Sequence, residues 1–172
     1  MSYLPAPQDV GDALQGMGLA ASDRQWTVLT ALDTEPEVLL ADDGDNVVLS
    51  ALAVHLVYRV LSSKRRVLIL YPGGERGQKI AGDLMRMLTD MVFNRWPILA
   101  RTARKLDGWR AIRLNDDPNI ELRAVKATPR AVMPLRDPDS QIVVMLDGFN
   151  SDTAYIEAER IIGDTQTLVR LH

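Results

Sequence analysis

Hydrophobic and polar residues fall into blocks that alternate between strand-like and helix-like spacing along most of the chain. Glu37 to Ala41 (EVLLA) is a short apolar run, closed by the acidic turn Asp42-Asp43-Gly44-Asp45-Asn46. A long helix follows from Val47 to about Leu61. Its apolar positions, from Val47, Val48 and Leu49 through Leu52, Leu56 and Val60, go most of the way round, which predicts a helix covered on several sides. After the basic turn Ser62 to Arg66, Val67 to Tyr71 (VLILY) reads as a second strand, opening through a Gly-rich turn, Pro72 to Gly77, into a second helix. That helix carries Ile80, Leu84, Met87, Leu88 and Met91 on one face. Two consecutive strand-turn-helix units predict a right-handed crossover between parallel strands.

The flanking sequence extends this pattern. Residues 1–21 read as an N-terminal arm or short packed helix, with a weak helical repeat at Val10, Leu14 and Met17. Ser22 has the character of an N-cap before a helix bearing Trp26, Leu29 and Leu32 at core spacing. Beyond the second main helix, Pro97 to Ala100 is a candidate strand. Arg110 to Leu114 and Ile120 to Val125 read as an antiparallel pair around the turn Asn115 to Asn119. Thr128 to Asp139 is a Pro-containing loop. Gln141 to Asp147 has the continuous apolar character of a buried central parallel strand. A helix from about Ser151 to Ile162 and a last strand, Thr167 to Leu171, complete the series. Together they predict one α/β domain from about residue 22 to residue 172, a three-layer α/β/α sandwich with a mainly parallel central sheet.

Composition narrows the function classes more than the fold. A chain of 172 residues suffices for one domain with a sizeable core. The absence of cysteine excludes disulfides, thiolate metal sites and a thiol nucleophile, and fits an intracellular, cytoplasmic protein. The N-terminus lacks the basic start and apolar run of a signal peptide. Ser50, His55 and Arg59 interrupt the longest apolar helix, so no membrane association is expected. With a formal net charge of −3, a nucleic-acid argument must rest on local patches. Such a patch runs from Asn94 to Arg113, where Arg95, Arg101, Arg104, Lys105 and Arg110 stand with Trp96 and Trp109, the mixture that suits phosphate contact and base stacking. The plain alternative is a solvated surface over two core tryptophans.

Three nucleotide or metal chemistries can be weighed on the turns. A phosphate loop needs glycines for a backbone cradle, a Lys for the outer phosphates and a Ser or Thr for Mg²⁺. The turn before the long helix offers Asp42, Asp43, Gly44, Asp45 and Asn46, with Val47 and Val48 where Lys and Thr would stand. Like charges about 4 Å apart repel by roughly 1 kcal/mol in water and about 4 kcal/mol at a partly buried site, so several aspartates would oppose a triphosphate. Second, Val67 to Tyr71 followed by Pro72-Gly73-Gly74-Glu75-Arg76-Gly77 approaches the dinucleotide fingerprint, with Pro72 in place of the first glycine; Arg101 or Arg104 would then meet an NADP 2′-phosphate. Third, Asp42, Asp43 and Asp45 are potential oxygen ligands for Mg²⁺ or Ca²⁺, as in a metal-dependent nuclease or phosphatase. His55 and His172 form no recognisable triad with any serine.

The order of elements resembles the ATPase domain of the large terminase subunit of tailed bacteriophages, and more distantly the first motor domain of helicases. The resemblance covers about Ser22 to His172. Asp23-Arg24-Gln25-Trp26 is similar to the Gln-containing helix before the phosphate loop, and Lys64 to Leu88 to the strand, Pro-containing turn and helix that follow it. Ile142 to Gly148 resembles the Walker B strand and Thr167 to His172 the coupling strand. The resemblance implies a P-loop motor (RecA-like) ATPase core without the nuclease domain that follows in a full terminase. It also implies a degenerate nucleotide site at Gln25, Asp42, Asp43, Gly44, Asp45, Asn46, Val47 and Asp147. Gly148 stands where such motors carry a catalytic Glu. The expectation is therefore a domain of phage or prophage origin with no turnover and no cofactor. It would bind DNA through Arg95, Arg101, Arg104, Lys105 and Arg110, or bind a phage packaging or replication protein. Motors of this kind work as rings, so a homo-oligomeric contact is among the expectations.

Overall fold

A computed structural model describes residues 9–34, 37–40, 46–71, 75–126, 141–146 and 168–171. The elements are α1 (Val10–Met17), α2 (Asp23–Thr34), β1 (Glu37–Leu40), α3 (Val47–Ser63), β2 (Arg66–Tyr71) and α4 (Glu75–Thr89). A π-helical turn (Asp90–Arg95) continues α4 and leads into α5 (Pro97–Ala100), β3 (Arg104–Leu106), β4 (Ala111–Arg113), β5 (Glu121–Lys126), β6 (Gln141–Leu146) and β7 (Leu168–Leu171). The strands form one seven-stranded sheet in the order β1-β7-β6-β2-β5-β4-β3. The first five in that order are mutually parallel, and β4 runs against both of its neighbours. The expected mainly parallel α/β sheet is thus present, with an antiparallel margin.

β1 and β2 are parallel, as two strand-turn-helix units demand, but β7 and β6 lie between them. The chain moves from β1 to β2 and from β2 to β5 in the same direction across the sheet. Right-handed connections therefore place α3 and α4 on one face, where the two helices pack on each other. α3 is buried nearly all round, at Val48 and Leu49, from Ala51 to Val57 and again at Val60 and Leu61, because α1, α2, α4 and the sheet surround it. On β2, Val67 and Ile69 join the same core, while Leu68 and Leu70 point to the other face. All four are fully buried, as the centre of a sheet covered on both faces requires.

The N-terminal helices are fixed by their ends. Asp9 caps α1 by accepting the Asp12 N–H at 2.8 Å, and Gly18, at φ 66°, ends it in a left-handed turn with Leu19 N–H bonded to Leu14 C=O at 2.9 Å. α1 lays Ala13, Leu14 and Met17 into the core, and Gly16 lets it approach Trp96, whose ring leaves no room for a side chain there. Ser22 and Gln25 form a reciprocal capping box at the start of α2. The Gln25 N–H donates to Ser22 Oγ at 3.2 Å and the Ser22 N–H donates to Gln25 Oε1 at 2.9 Å.

Three sequence expectations are corrected. Trp26 was expected on the core face of α2 with Leu29 and Leu32, yet it remains 41% exposed while those two are buried. Pro97 to Ala100 is a helical turn and not a strand. Proline at its first position presets a helical φ, and Ala100 N–H bonds Trp96 C=O at 2.9 Å. Of the two tryptophans in the basic stretch, Trp96 is core but Trp109 is 38% exposed. The loop expected from Thr128 to Asp139 and the helix expected from Ser151 to Ile162 lie outside the described residues.

Candidate functional site

The carboxyl ends of β1, β7 and β6 are level: Leu171 is in register with Leu40 on one side and with Leu146 on the other. The chain therefore leaves β1 and β6 from the same edge, two strand spacings or roughly 10 Å apart. This is the edge at which α/β sheets present ligand-binding turns. Asp42, Asp43, Gly44 and Asp45, which succeed β1, and Asp147, which succeeds β6, lie outside the described residues, as do Pro72, Gly73 and Gly74.

The described part of this region is the start of α3. Asn46 precedes the helix with φ 64° and ψ 8°, a left-handed conformation that Asn tolerates better than most residues, and its side chain makes no cap hydrogen bond. Val47 is half-buried and Val48 buried, so the first turn is sealed with hydrocarbon. Gln25 reaches this turn from α2. Its Nε2 donates to Ser50 Oγ at 2.9 Å, and Ser50 Oγ donates to Val47 C=O at 3.0 Å. With Oε1 already accepting from Ser22, both ends of the Gln25 amide are engaged in joining α2 to α3.

The basic candidates separate into two groups. Arg95 Nε bonds Asp90 Oδ2 at 2.8 Å, and Arg104 Nε bonds Asp116 Oδ1 at 2.7 Å, so each is paired with a carboxylate. Hydrogen bonds from Asn94 and then Arg95 hold the Asp90 carboxyl below its ordinary range. Arg101, Lys105 and Arg110 have no carboxylate partner among the described residues. Lys105 lies 5.3 Å from the centre of the Phe93 ring, and the Arg110 guanidinium lies 5.6 Å from that of Trp109. These residues follow the outermost strand, with Arg101 before β3, Lys105 within it and Arg110 after the turn, a track on the order of 20 Å long. Their strand is the far end of the sheet from β1, roughly 30 Å across six strand spacings.

The β3–β4 turn is the part that sequence reading missed, although it carried a signal. Asp107 and Gly108, the first two residues of a four-residue turn, both have positive φ, at 53° and 66°, a conformation that Asp and Gly tolerate best, so the Asp-Gly pair was a turn signal. The turn projects Trp109 against Tyr71 at the carboxyl end of β2, with ring centres 6.1 Å apart. Behind it, buried Glu121 accepts from Arg123 Nε at 2.5 Å and lies 3.7 Å from Arg113 Nη2, while Arg123 also bonds Asp107. This network ties the turn to β4 and β5. Between α4 and the turn opens a groove of about 830 Å³ whose walls include Lys79, Lys105 and Trp109, together with Glu75 and Asp83.

No group of three potential metal-ligating side chains occurs among the described residues, and no helix among them is long and apolar enough to cross a membrane. The helical turn at Pro97–Ala100 removes the strand that the dinucleotide reading placed before Arg101 and Arg104.

No protein-family profile matches the sequence, and no curated protein matches it either. Among solved structures, the fold is similar to a mutant ATPase domain of the large terminase of Thermus phage P74-26. The TM-score is 0.56 at 13% sequence identity, over 92% of this chain and 67% of that one. The chain therefore has the fold of a terminase ATPase domain, as its order of elements implied.

Proposed function

We propose that this chain is a non-hydrolytic, terminase-like module of phage or prophage origin that grips nucleic acid along the β3 edge during DNA packaging or a related DNA transaction. The observation that carries the reading is the separation of the basic residues. Among the described residues, Arg101, Lys105 and Arg110 have no carboxylate partner; they lie before, within and after the edge strand β3, beside a tryptophan that is 38% exposed. Unpaired cations supply phosphate contacts, and an exposed indole supplies a stacking surface for a base. The non-hydrolytic half draws its support from residue chemistry. Val47 and Val48 offer neither a cation for a phosphate nor a hydroxyl for Mg²⁺, and Gly148 offers no base to activate water.

Fluorescence anisotropy with labelled duplex and single-stranded oligonucleotides tests the binding half. Three phosphate contacts on a duplex give a slope of about −2.7 for log affinity against log salt, or roughly a 40-fold loss between 50 and 200 mM. The triple variant Arg101→Ala, Lys105→Ala, Arg110→Ala should abolish most of the binding; unchanged affinity in that variant removes the proposal. Calorimetry with ATP and Mg²⁺ tests the other half, and micromolar affinity or measurable turnover would overturn it.

A further inference from the structure

We propose that a second, half-open pocket, lined by α1, α2, α3, α4 and the π-helical turn, binds a small amphiphilic organic anion, with the apolar body inside and the acid group at Arg95 and Arg86. The cavity has a volume of about 470 Å³. Its size falls within the range of small-molecule sites. Leu14, Leu29, Ala51, Val54, Met87 and Met91 make its apolar lining.

Its polar groups decide what kind of head it accepts. Gln25 and Ser50 line one wall, but their hydrogen bonds are exchanged with each other, with Ser22 and with the Val47 carbonyl. That leaves Arg86, Asp90 and Arg95 on the wall, the two guanidiniums each with one carboxylate beside it, Asp83 for Arg86 and Asp90 for Arg95. Among the described residues Arg86 has only an exposed ion pair with Asp83, its side chain 80% accessible, and turning towards a ligand costs little. Arg95 offers its terminal nitrogens while Nε stays on Asp90.

The turn that carries these two residues is the second, independent observation. An α-helix sets residues five apart on different sides, whereas the wider π-helical turn brings Asp90 and Arg95 together at i, i+5 and sets both at the cavity. Such turns are energetically poor and recur at functional sites. Here the widening builds a charged rim over an apolar chamber. The inference does not rest on the nucleic-acid reading, because it uses none of Arg101, Lys105 or Arg110.

Decanoate and decanol, both below their micellar concentrations, are the probes, followed by calorimetry and by backbone amide chemical shifts. Decanoate should bind with at least tenfold higher affinity than decanol and shift the amides around Leu29, Ala51 and Met91. Arg95→Gln should weaken decanoate binding by tenfold or more and leave decanol unchanged. Ala21→Trp, which fills the chamber from its rim, should abolish both while the variant still melts cooperatively. Failure of decanoate to bind, equal affinity for the acid and the alcohol, an undiminished Arg95→Gln variant, or shifts confined to other parts of the chain would each overturn the proposal. Should Ala21→Trp not fold, the acid-to-alcohol comparison and Arg95→Gln decide it alone.

Discussion

Lowering the pH from 7.5 to 5 should destabilise this fold through one side chain, His55. It sits in the middle of α3 with 1% of its surface exposed, and neither ring nitrogen has a hydrogen-bond partner among the described residues. Burial, and next the nearby Arg59 charge, push its pKa from the ordinary 6.5 down to about 4. The native state thus holds the imidazole neutral over a range where an unfolded chain would protonate it. The resulting stability is complete above pH 6.5 and drains away as the pH falls towards 4. The full shift corresponds to about 3 kcal/mol, of which about 2 kcal/mol is already lost at pH 5. For a domain of this size that is roughly 4–8 °C in Tm. The assay is urea unfolding of wild type and His55→Leu at pH 7.5, 6 and 5. Leucine removes two unsatisfied nitrogens from an apolar site, so the variant should equal or exceed wild type at pH 7.5. Its advantage should then grow by about 2 kcal/mol at pH 5. Every other titrating group is common to both proteins and cancels in the difference. Parallel loss of stability in the two proteins would refute the reasoning.

The other predictions concern packing and polar networks. Gly16→Ala should destabilise the fold by about 1–3 kcal/mol in chemical denaturation despite alanine's better helix propensity, because a Cβ there would stand 2.7 Å from the buried Trp96 ring. Glu121→Gln should cost about 2–3 kcal/mol by urea unfolding. That is less than a wholly buried pair, because the Arg113 and Arg123 side chains keep 33% and 28% of their surface wet. Gln25→Ala removes one half of the capping box and the bridge to Ser50, which predicts a loss of about 1–2 kcal/mol and earlier amide exchange at the start of α2 and α3. Trp109→Ala should weaken single-stranded oligonucleotide binding by about 1–3 kcal/mol in anisotropy at a temperature where the variant is still folded, with some loss of stability from the broken contact to Tyr71.

Most of the fold could be read from periodicity because its elements are local. An apolar run of strand length, an all-round apolar helix and a serine N-cap each announce themselves within a few residues, as at Val67–Tyr71, Val47–Leu61 and Ser22. What failed to be read depends on partners far along the chain or on backbone details that side-chain spacing does not encode. Trp26 has the right spacing for the core and the wrong neighbours. Pro97-Ile98-Leu99-Ala100 is too short and too apolar for periodicity to separate a strand from a helical turn, and the proline should have weighed more. The Asp107-Gly108 marker was local and was passed over.

The basic stretch shows why a site is harder to read than a fold. Arg95, Arg101, Arg104, Lys105 and Arg110 are equivalent in composition, yet a π-helical turn commits Arg95 to Asp90 and a loop return commits Arg104 to Asp116. Among the described residues only the remaining three stand along the β3 edge without a carboxylate partner. Their usefulness also depends on how firmly the hairpin is held, since a mobile stripe loses in ordering entropy what it gains in phosphate contacts. The Arg113–Glu121–Arg123–Asp107 network answers that requirement by fastening the turn to two neighbouring strands through a carboxylate that is 3% exposed. Glu121→Gln should therefore loosen nucleic-acid binding as well as stability, although Glu121 itself is buried beneath the track. If that variant, still folded at low temperature, binds oligonucleotides with wild-type affinity and an unchanged salt slope, the hairpin is not pre-arranged by this network and the track does not depend on it.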